Sequence, residues 1–150
     1  MPKFETTRHV GHAPDKMFDL VADVEKYPEF LPMCTGLTVR TRKEKDGMAV
    51  LVADMSVGYK AIRETFTSQV VLKRAENTIE VKYLDGPFRY LQNLWRFDDD
   101  GNGGCTVRFF IEYEFKSRLL GAMMGAMFDR AFRMFAGAFE KRADEIYGRQ

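Results

Sequence analysis

The segment from Ser117 to Tyr147 places the strongest constraint on how this chain can fold. With side chains about 100° apart on a helix, its large apolar residues share one half of the surface. Such a helix would be about 45 Å long, and its apolar arc would be about twice as wide as usual, so a broad concave surface has to cover it. The arc contains Leu120, Met123, Met124, Met127, Phe128, Ala131, Phe132, Met134, Phe135, Ala138, Phe139 and Ile146.

The size and charge of the chain limit its class. It has 150 residues and a net charge of +1, with acidic and basic residues mixed. This length suits one folding unit, and we expect a single domain over residues 1–150. The balanced charge is not that of a general nucleic-acid binder, so we expect no DNA partner.

The absence of a targeting signal and the use of cysteine predict a cytoplasmic protein. The first ten residues lack the apolar segment of a secretory signal peptide, and the longest uncharged apolar run, 119–128, is about half of a membrane span. Cys34 and Cys105 do not have metal-ligand spacing, and both suit a reducing compartment as small apolar residues. Peripheral contact with the inner face of a membrane through the run 119–128 stays open, because core packing explains that run equally well.

Alternation of apolar and polar residues predicts seven strands. The first, Phe4–Val10, precedes two short helices, of which one begins at Pro14 and the other follows Asp23. Turn signals such as Gly58 separate the next six strands, whose short connections favour an antiparallel meander. The prediction is an α+β fold in which a curved seven-stranded antiparallel sheet wraps around the long C-terminal helix. The six later strands are predicted at Leu37–Arg42, Ala49–Val57, Tyr59–Lys73, Thr78–Leu84, Phe88–Phe97 and Cys105–Phe115.

A curled sheet and a single helix do not easily fill the space between them, so we expect a cavity for an apolar ligand there. Inward residues of the strands and the apolar side of the helix would line it, and the segment YPEFLPMC (27–34) would lie at its rim. Aromatic faces suit a flat ring, and methionines suit a flexible tail. The candidate ligand-binding residues are Phe66, Trp95, Phe97, Phe109, Ile111, Tyr113, Met124, Met127, Phe128, Ala131 and Phe135, with Phe30 and Leu31 at the rim.

Two charged residues fall on faces that are otherwise apolar. Glu64 shares the inward face of its strand with Phe66, and Arg142 lies at the centre of the apolar arc of the helix. A buried unpaired charge is costly, so each needs a partner or access to water. Either Arg142 extends to solvent and Glu64 lies at the edge of the sheet, or one or both contact the polar head of a ligand, or each other.

The residue types that usually carry catalysis are sparse. His9 and His12 are the only histidines, and the sequence shows no partner for them. The run DDDGNGG (98–104) lacks the spaced ligands of a calcium loop and indicates a hairpin turn. We expect no catalytic residues, no metal site and no covalently bound cofactor.

The first part of the long helix has an unusual composition. The run LLGAMMGAM (119–127) combines flexible side chains with Gly121 and Gly125. Each glycine disfavours a helix by about 1 kcal/mol relative to alanine. We therefore predict that this run is a mobile gate over the cavity, with faster hydrogen exchange than 131–142.

Five segments in order resemble those of a known family: YPEFLPMC (27–34), DGPF (85–88), LWRF (94–97), CTVRFFIEYEFKS (105–117) and AFEKRADEIYG (138–148). The chain is similar to the START-like, helix-grip domains that are grouped with polyketide cyclases. Within these it resembles the coenzyme Q-binding START-domain proteins, a group that also includes the ribosome-association toxin RatA. The similarity covers nearly the entire chain.

The resemblance implies two functions from different classes. One is a non-enzymatic carrier or chaperone for a polyprenyl quinone, ubiquinone, that supports respiratory electron transport. The other is a RatA-type regulator that binds the large ribosomal subunit and blocks subunit association, for which Arg118, Arg130, Arg133 and Lys141 are the basic candidates. An aromatase or cyclase would need acid–base residues inside the cavity, and the sequence offers too few.

Overall fold

The computed structural model describes residues 3–59 and 61–148. Two α-helices, α1 (Pro14–Ala22) and α2 (Arg118–Tyr147), accompany a 3-10 helix at Val24–Glu29, here named the 3-10 segment, and a 3-10 turn at Arg74–Glu76. The strands are β1 (Lys3–Val10), β2 (Cys34–Lys45), β3 (Met48–Tyr59), β4 (Ile62–Lys73), β5 (Thr78–Asp85), β6 (Phe88–Asp99) and β7 (Cys105–Phe115).

The strands form one antiparallel sheet in the order β1, β7, β6, β5, β4, β3, β2. Six strands follow one another as a meander, and β1 closes the order beside β7. The register aligns Val70, Val81, Asn93 and Ile111 across four neighbouring strands. These residues share the face of the sheet that α2 covers, so the predicted α+β fold, with its sheet around the C-terminal helix, is confirmed.

The prediction of a turn at Gly58 was wrong. Gly58 lies inside β3, opposite Arg63, and its N–H donates to the carbonyl of Met33 at 2.9 Å. A Cβ atom there would lie 3.0 Å from Arg63 Cδ and 3.2 Å from Thr35 Cγ2. The glycine thus permits close approach of neighbouring chain segments rather than reversal of the chain. The predicted strand Tyr59–Lys73 begins instead at Ile62, and position 60 lies outside the described residues.

Helix α2 begins where Ser117 accepts a hydrogen bond from the N–H of Leu120 at 3.1 Å, a side-chain cap on the first turn. Its buried stripe is narrower than the predicted arc. Met123, Met134 and Ile146 are exposed, because the first two lie at the margin of the arc and the third lies in the last turn, where the sheet no longer covers the helix. The buried residues of α2 are Met124, Met127, Phe128, Ala131, Phe132, Ala136, Phe139 and Ala143.

Aromatic rings fill the space beneath the first half of α2. The ring of Phe128 is 5.0 Å from that of Phe88 and 5.7 Å from that of Phe115, both in edge-to-face geometry. Phe88 also meets Phe66 at 5.8 Å. Edge-to-face aromatic pairs are favourable beyond the area they bury. This half of the interface is therefore solid core.

Candidate ligand-binding cavity

A cavity of about 80 Å³ lies between the inner face of the sheet and the middle of α2. Its wall is almost entirely apolar. An engineered apolar cavity of about 150 Å³ is large enough to bind benzene, so the space must widen before it accepts a ring. The lining residues are Val24, Tyr27, Leu37, Ala53, Met55, Phe66, Ser68, Val70, Ile79, Val81, Leu91, Asn93, Trp95, Ile111, Phe132, Phe135 and Phe139.

Four of the residues predicted from the sequence line this cavity: Phe66, Trp95, Ile111 and Phe135. The other predicted apolar residues pack elsewhere in the core. Phe128 fills the space beneath the first half of α2, Phe97 contacts Phe18 of α1, and Phe109 contacts Phe4 of β1. Buried in the core without lining the cavity are Leu31, Phe97, Phe109, Tyr113, Met124, Met127, Phe128 and Ala131, while Phe30 is half-buried at the 3-10 segment.

The polar side chains of the lining are Tyr27, Ser68 and Asn93. Sequence analysis did not select them, although strand parity places Ser68 two residues after the inward-facing Phe66. Asn93 Nδ2 donates to the carbonyl of Phe110 at 2.8 Å. The hydroxyl of Tyr27 donates to the carbonyl of Val21, and burial raises its pKa above the usual value for a phenol. Tyr27 is therefore a poor proton donor for acid catalysis.

Arg142 joins α2 to the 3-10 segment, which contributes Val24 and Tyr27 to the cavity wall. Its Nη2 donates to Glu29 Oε1 at 2.8 Å, and its guanidinium lies 5.1 Å from the centre of the Phe30 ring. Glu64, by contrast, is half-buried on β4 opposite Val57 of β3. The hypothesis that Glu64 and Arg142 contact each other is wrong, since Arg142 spans the gap between α2 and the 3-10 segment instead.

Side-chain bonds hold the second half of α2 to the rest of the fold. Arg8 Nη1 lies 2.7 Å from Glu140 Oε1, and His12 Nε2 lies 2.8 Å from Asp144 Oδ1. The hydroxyl of Tyr147 donates to the backbone of α1 at 3.2 Å. In the part of the chain that the structure describes, residues 118–128 have no side-chain ion pair to another element. The helix is therefore fixed at one end and held by apolar contacts at the other.

A wider groove of about 640 Å³ lies outside the cavity, between α1 and the hairpin of β2 and β3. Charged residues such as Asp19, Asp23, Arg42 and Arg74 line it, which suits water better than an apolar ligand. Val24 lines both spaces and separates them.

The described residues contain no group of three or more His, Cys, Asp and Glu side chains that could hold a metal ion. Burial raises the pKa of Cys34 to about 11 and that of Cys105 to about 12, so both thiols stay protonated at neutral pH. Among the helices of the described residues, none is long and apolar enough to cross a membrane.

Comparison with known proteins agrees with this architecture. The family model described as polyketide cyclase / dehydrase and lipid transport matches residues 10–140. The chain belongs to this family. The solution structure of the 18 kDa protein CC1736 from Caulobacter crescentus shares 36% identity over 99% of both chains, with a TM-score of 0.80. START superfamily structures also share the fold of this family member.

Two kinds of curated relatives match this family member over almost its full length. Ribosome association toxin RatA of Rickettsia prowazekii is 30% identical, over 97% of this chain and 99% of the relative. Coenzyme Q-binding protein COQ10 homolog B, mitochondrial, of Xenopus laevis is 31% identical over 99% of this chain, which spans 60% of that longer protein. These two relatives thus carry the names of two different activities.

Proposed function

We propose that this protein binds a polyprenyl quinone, ubiquinone, between the sheet and α2, as a non-enzymatic carrier or chaperone that supports respiratory electron transport. The observation that carries the proposal is an almost wholly apolar cavity beneath α2 that contains Trp95 and three phenylalanines of the helix. Aromatic faces suit a quinone ring, and burial of an isoprenoid tail gains about 25 cal/mol per Å². The name of the COQ10 relative supports this choice of ligand.

Quinone binding requires the cavity to grow. Ligand pockets for molecules of drug size usually have about 300–1,000 Å³, several times the volume present here. The first half of α2 is the part that can move, because polar side-chain contacts fix the second half to β1, the 3-10 segment and the loop after β1. An outward swing of residues 118–128 would lift Phe128 from Phe88 and open the space beneath it.

Organic extraction of the purified protein, followed by mass spectrometry, tests this proposal. We expect a co-purified quinone in stoichiometric amount. Ala53→Met, which fills the cavity from β3, should reduce the amount, while Val52→Met adds bulk on the outer face of the same strand as a matched control. Quinone-free wild-type protein that also fails to take up added quinone would overturn the proposal.

A second function, binding to the large ribosomal subunit and blocking subunit association, is favoured by the names of the RatA relatives and by one surface feature. Basic side chains on the solvent side of α2 are exposed. These are Arg118, Arg130, Arg133 and Lys141. Binding of this kind would involve RNA phosphates and would fall steeply as salt rises.

Co-sedimentation with purified large subunits at several salt concentrations tests the second function. Arg118→Gln combined with Arg130→Gln should reduce both the binding and its salt dependence. Lys43→Gln combined with Lys45→Gln removes the same two positive charges from exposed sites on β2 and serves as the control for net charge. Binding that is equal in all variants, or absent from wild type at low salt, would exclude this basic surface.

A further inference from the structure

Ser68 is a buried polar residue whose hydroxyl has no partner. The residue lies on the inner face of β4, lines the cavity and is 6% exposed. Its Oγ forms no hydrogen bond with any part of the chain that the structure describes. Because a hydroxyl that is buried without a hydrogen bond costs free energy, polar side chains in protein cores are nearly always paired. Ser68 is therefore placed to bind a group that enters the cavity.

The register of the sheet explains why its neighbours leave Ser68 unpaired. Its partners are Ala53 on β3, which has no polar side-chain atom, and Tyr83 on β5. The Tyr83 hydroxyl accepts a hydrogen bond from a backbone N–H at the start of β6 at 3.0 Å. The pairing of β4 with β5 shifts between Thr67 and Ser68. Along β4 itself the side chains alternate as in any strand, so Thr67 points to the outer face and donates to Asp54 at 2.5 Å while Ser68 faces the cavity.

The other polar side chains of the lining each already donate a hydrogen bond to the backbone. Asn93 donates to the carbonyl of Phe110, and the Tyr27 hydroxyl donates to the carbonyl of Val21. Of the two hydroxyl groups that line the cavity, that of Tyr27 is bonded and that of Ser68 has no partner. Its chemical complement is a hydrogen-bond acceptor carried on an apolar body.

We propose that Ser68 donates a hydrogen bond to a carbonyl oxygen in the head group of the ligand, which therefore lies inside the sheet against β4. This inference rests on the proposed quinone binding and names the contact that orients the quinone. A benzoquinone ring has two carbonyl acceptors and no donor, which matches the lining. Arg142 has an unpaired Nε, but it does not line the cavity and its Nη2 donates to Glu29, so the head group meets Ser68 rather than the guanidinium.

Fluorescence of Trp95 provides the measurement, because the chain has a single tryptophan and it lines the cavity. The probe is a ubiquinone analogue with a ten-carbon saturated tail, whose ring quenches indole emission. Decylbenzene, which lacks the carbonyls, is titrated as a competitor that restores the emission. Ser68→Ala is compared with Ser56→Ala, which removes a hydroxyl from the outer face of β3, where it pairs with Thr65.

We expect Ser68→Ala to weaken binding of the quinone probe about fivefold, the value of one neutral hydrogen bond. Its affinity for decylbenzene and its thermal midpoint should not fall, and Ser56→Ala should bind both probes as wild type does. Equal affinity of wild type and Ser68→Ala for the quinone overturns the inference and leaves the proposed function intact. Equal weakening of both probes also overturns it, since Ser68 would then only shape the cavity. Failure of the quinone to quench wild-type Trp95 refutes the proposed function itself.

Discussion

Arg142 of α2 and Glu29 of the 3-10 segment form an ion pair, with 2.8 Å between Nη2 and Oε1, that joins two elements which both contribute residues to the cavity wall. The Arg142 side chain is 23% exposed and that of Glu29 is 51% exposed. Such a pair in partial contact with water contributes about 1 kcal/mol or less to stability. Its position matters more than its energy, because it joins α2 to the segment that carries Tyr27 and that Phe30 directly follows.

Replacement of this arginine should therefore affect ligand retention more than folding. We expect Arg142→Met to lower the free energy of unfolding by about 1 kcal/mol or less and to speed quinone release. Stopped-flow recovery of Trp95 fluorescence after dilution measures the release rate. Arg133→Met removes an ion pair within α2, with Asp129, and should leave release unchanged. Unchanged release together with increased stability in Arg142→Met would mean that the pair has no part in retention.

Gly121 and Gly125 give a direct test of the gate at the start of α2. A Cβ atom at these positions would meet Phe115 at 3.6 Å and 4.0 Å, which is ordinary contact. Alanine at each site should therefore fit and should stabilise the helix by about 1 kcal/mol per site. We expect the double variant to slow both hydrogen exchange in 119–127 and quinone uptake.

The anchored half of the helix supplies the control for that experiment. Gly137→Ala should leave the rate of quinone uptake unchanged, because Arg8 and Glu140 already hold this part of α2. In wild type, amides in 119–127 should exchange faster than those in 131–142. Equal protection in both halves would contradict the gate.

The cluster of Asp54, Thr67 and Arg40 should make stability depend on acid pH. The hydroxyl of Thr67 and then the guanidinium of Arg40, whose Nε is 2.7 Å from Asp54 Oδ2, lower the pKa of the Asp54 carboxyl. A carboxyl with a lowered folded-state pKa adds stability above its unfolded value, near pH 4, and loses it as pH falls through the folded value. We expect Asp54→Asn to be less stable than wild type at pH 7.

Urea unfolding at a series of pH values measures this effect. The stability difference between wild type and Asp54→Asn should shrink progressively below about pH 4 as the carboxyl is protonated. Glu25→Gln removes an exposed carboxylate from the 3-10 segment and serves as the control. A difference that stays constant from pH 7 to pH 2 would show that Asp54 contributes through its shape rather than its charge.

Both cysteines should be unreactive in the native protein. Since burial raises the pKa of Cys34 to about 11, about one thiol in a thousand is ionised at pH 8, and Cys105 is ionised even less. We expect no thiol to react with Ellman's reagent within minutes at pH 8, and two to react after denaturation. Reaction of one equivalent within seconds would reveal an opening that exposes Cys34 or Cys105, and Cys34→Ser would identify which.

Sequence pattern was sufficient for the architecture because periodicity is a local property of the chain. The alternation in Cys105–Phe115 correctly gave the inward face of β7, and the apolar repeat after Ser117 gave a helix that runs to Tyr147. The prediction of a turn at Gly58 was wrong, since a glycine in a turn and a glycine that permits close approach of two chain segments have the same local signature. Only the pairing of β3 with β4 separates them.

The sequence by itself determined which side of each strand and of α2 carries the apolar residues, and thereby the sheet, the helix and an apolar interior. The tertiary structure decided where that interior is full and where it is open. Close packing depends on which inward side chains meet between the sheet and the helix. Phe128 meets Phe88 and fills the space beneath the first half of α2, whereas Trp95 and Phe139 border a cavity beneath its middle. Strand pairing also left the hydroxyl of Ser68 without a partner, because the register of the sheet, and not the neighbours of Ser68 in sequence, decides which side chains lie beside it.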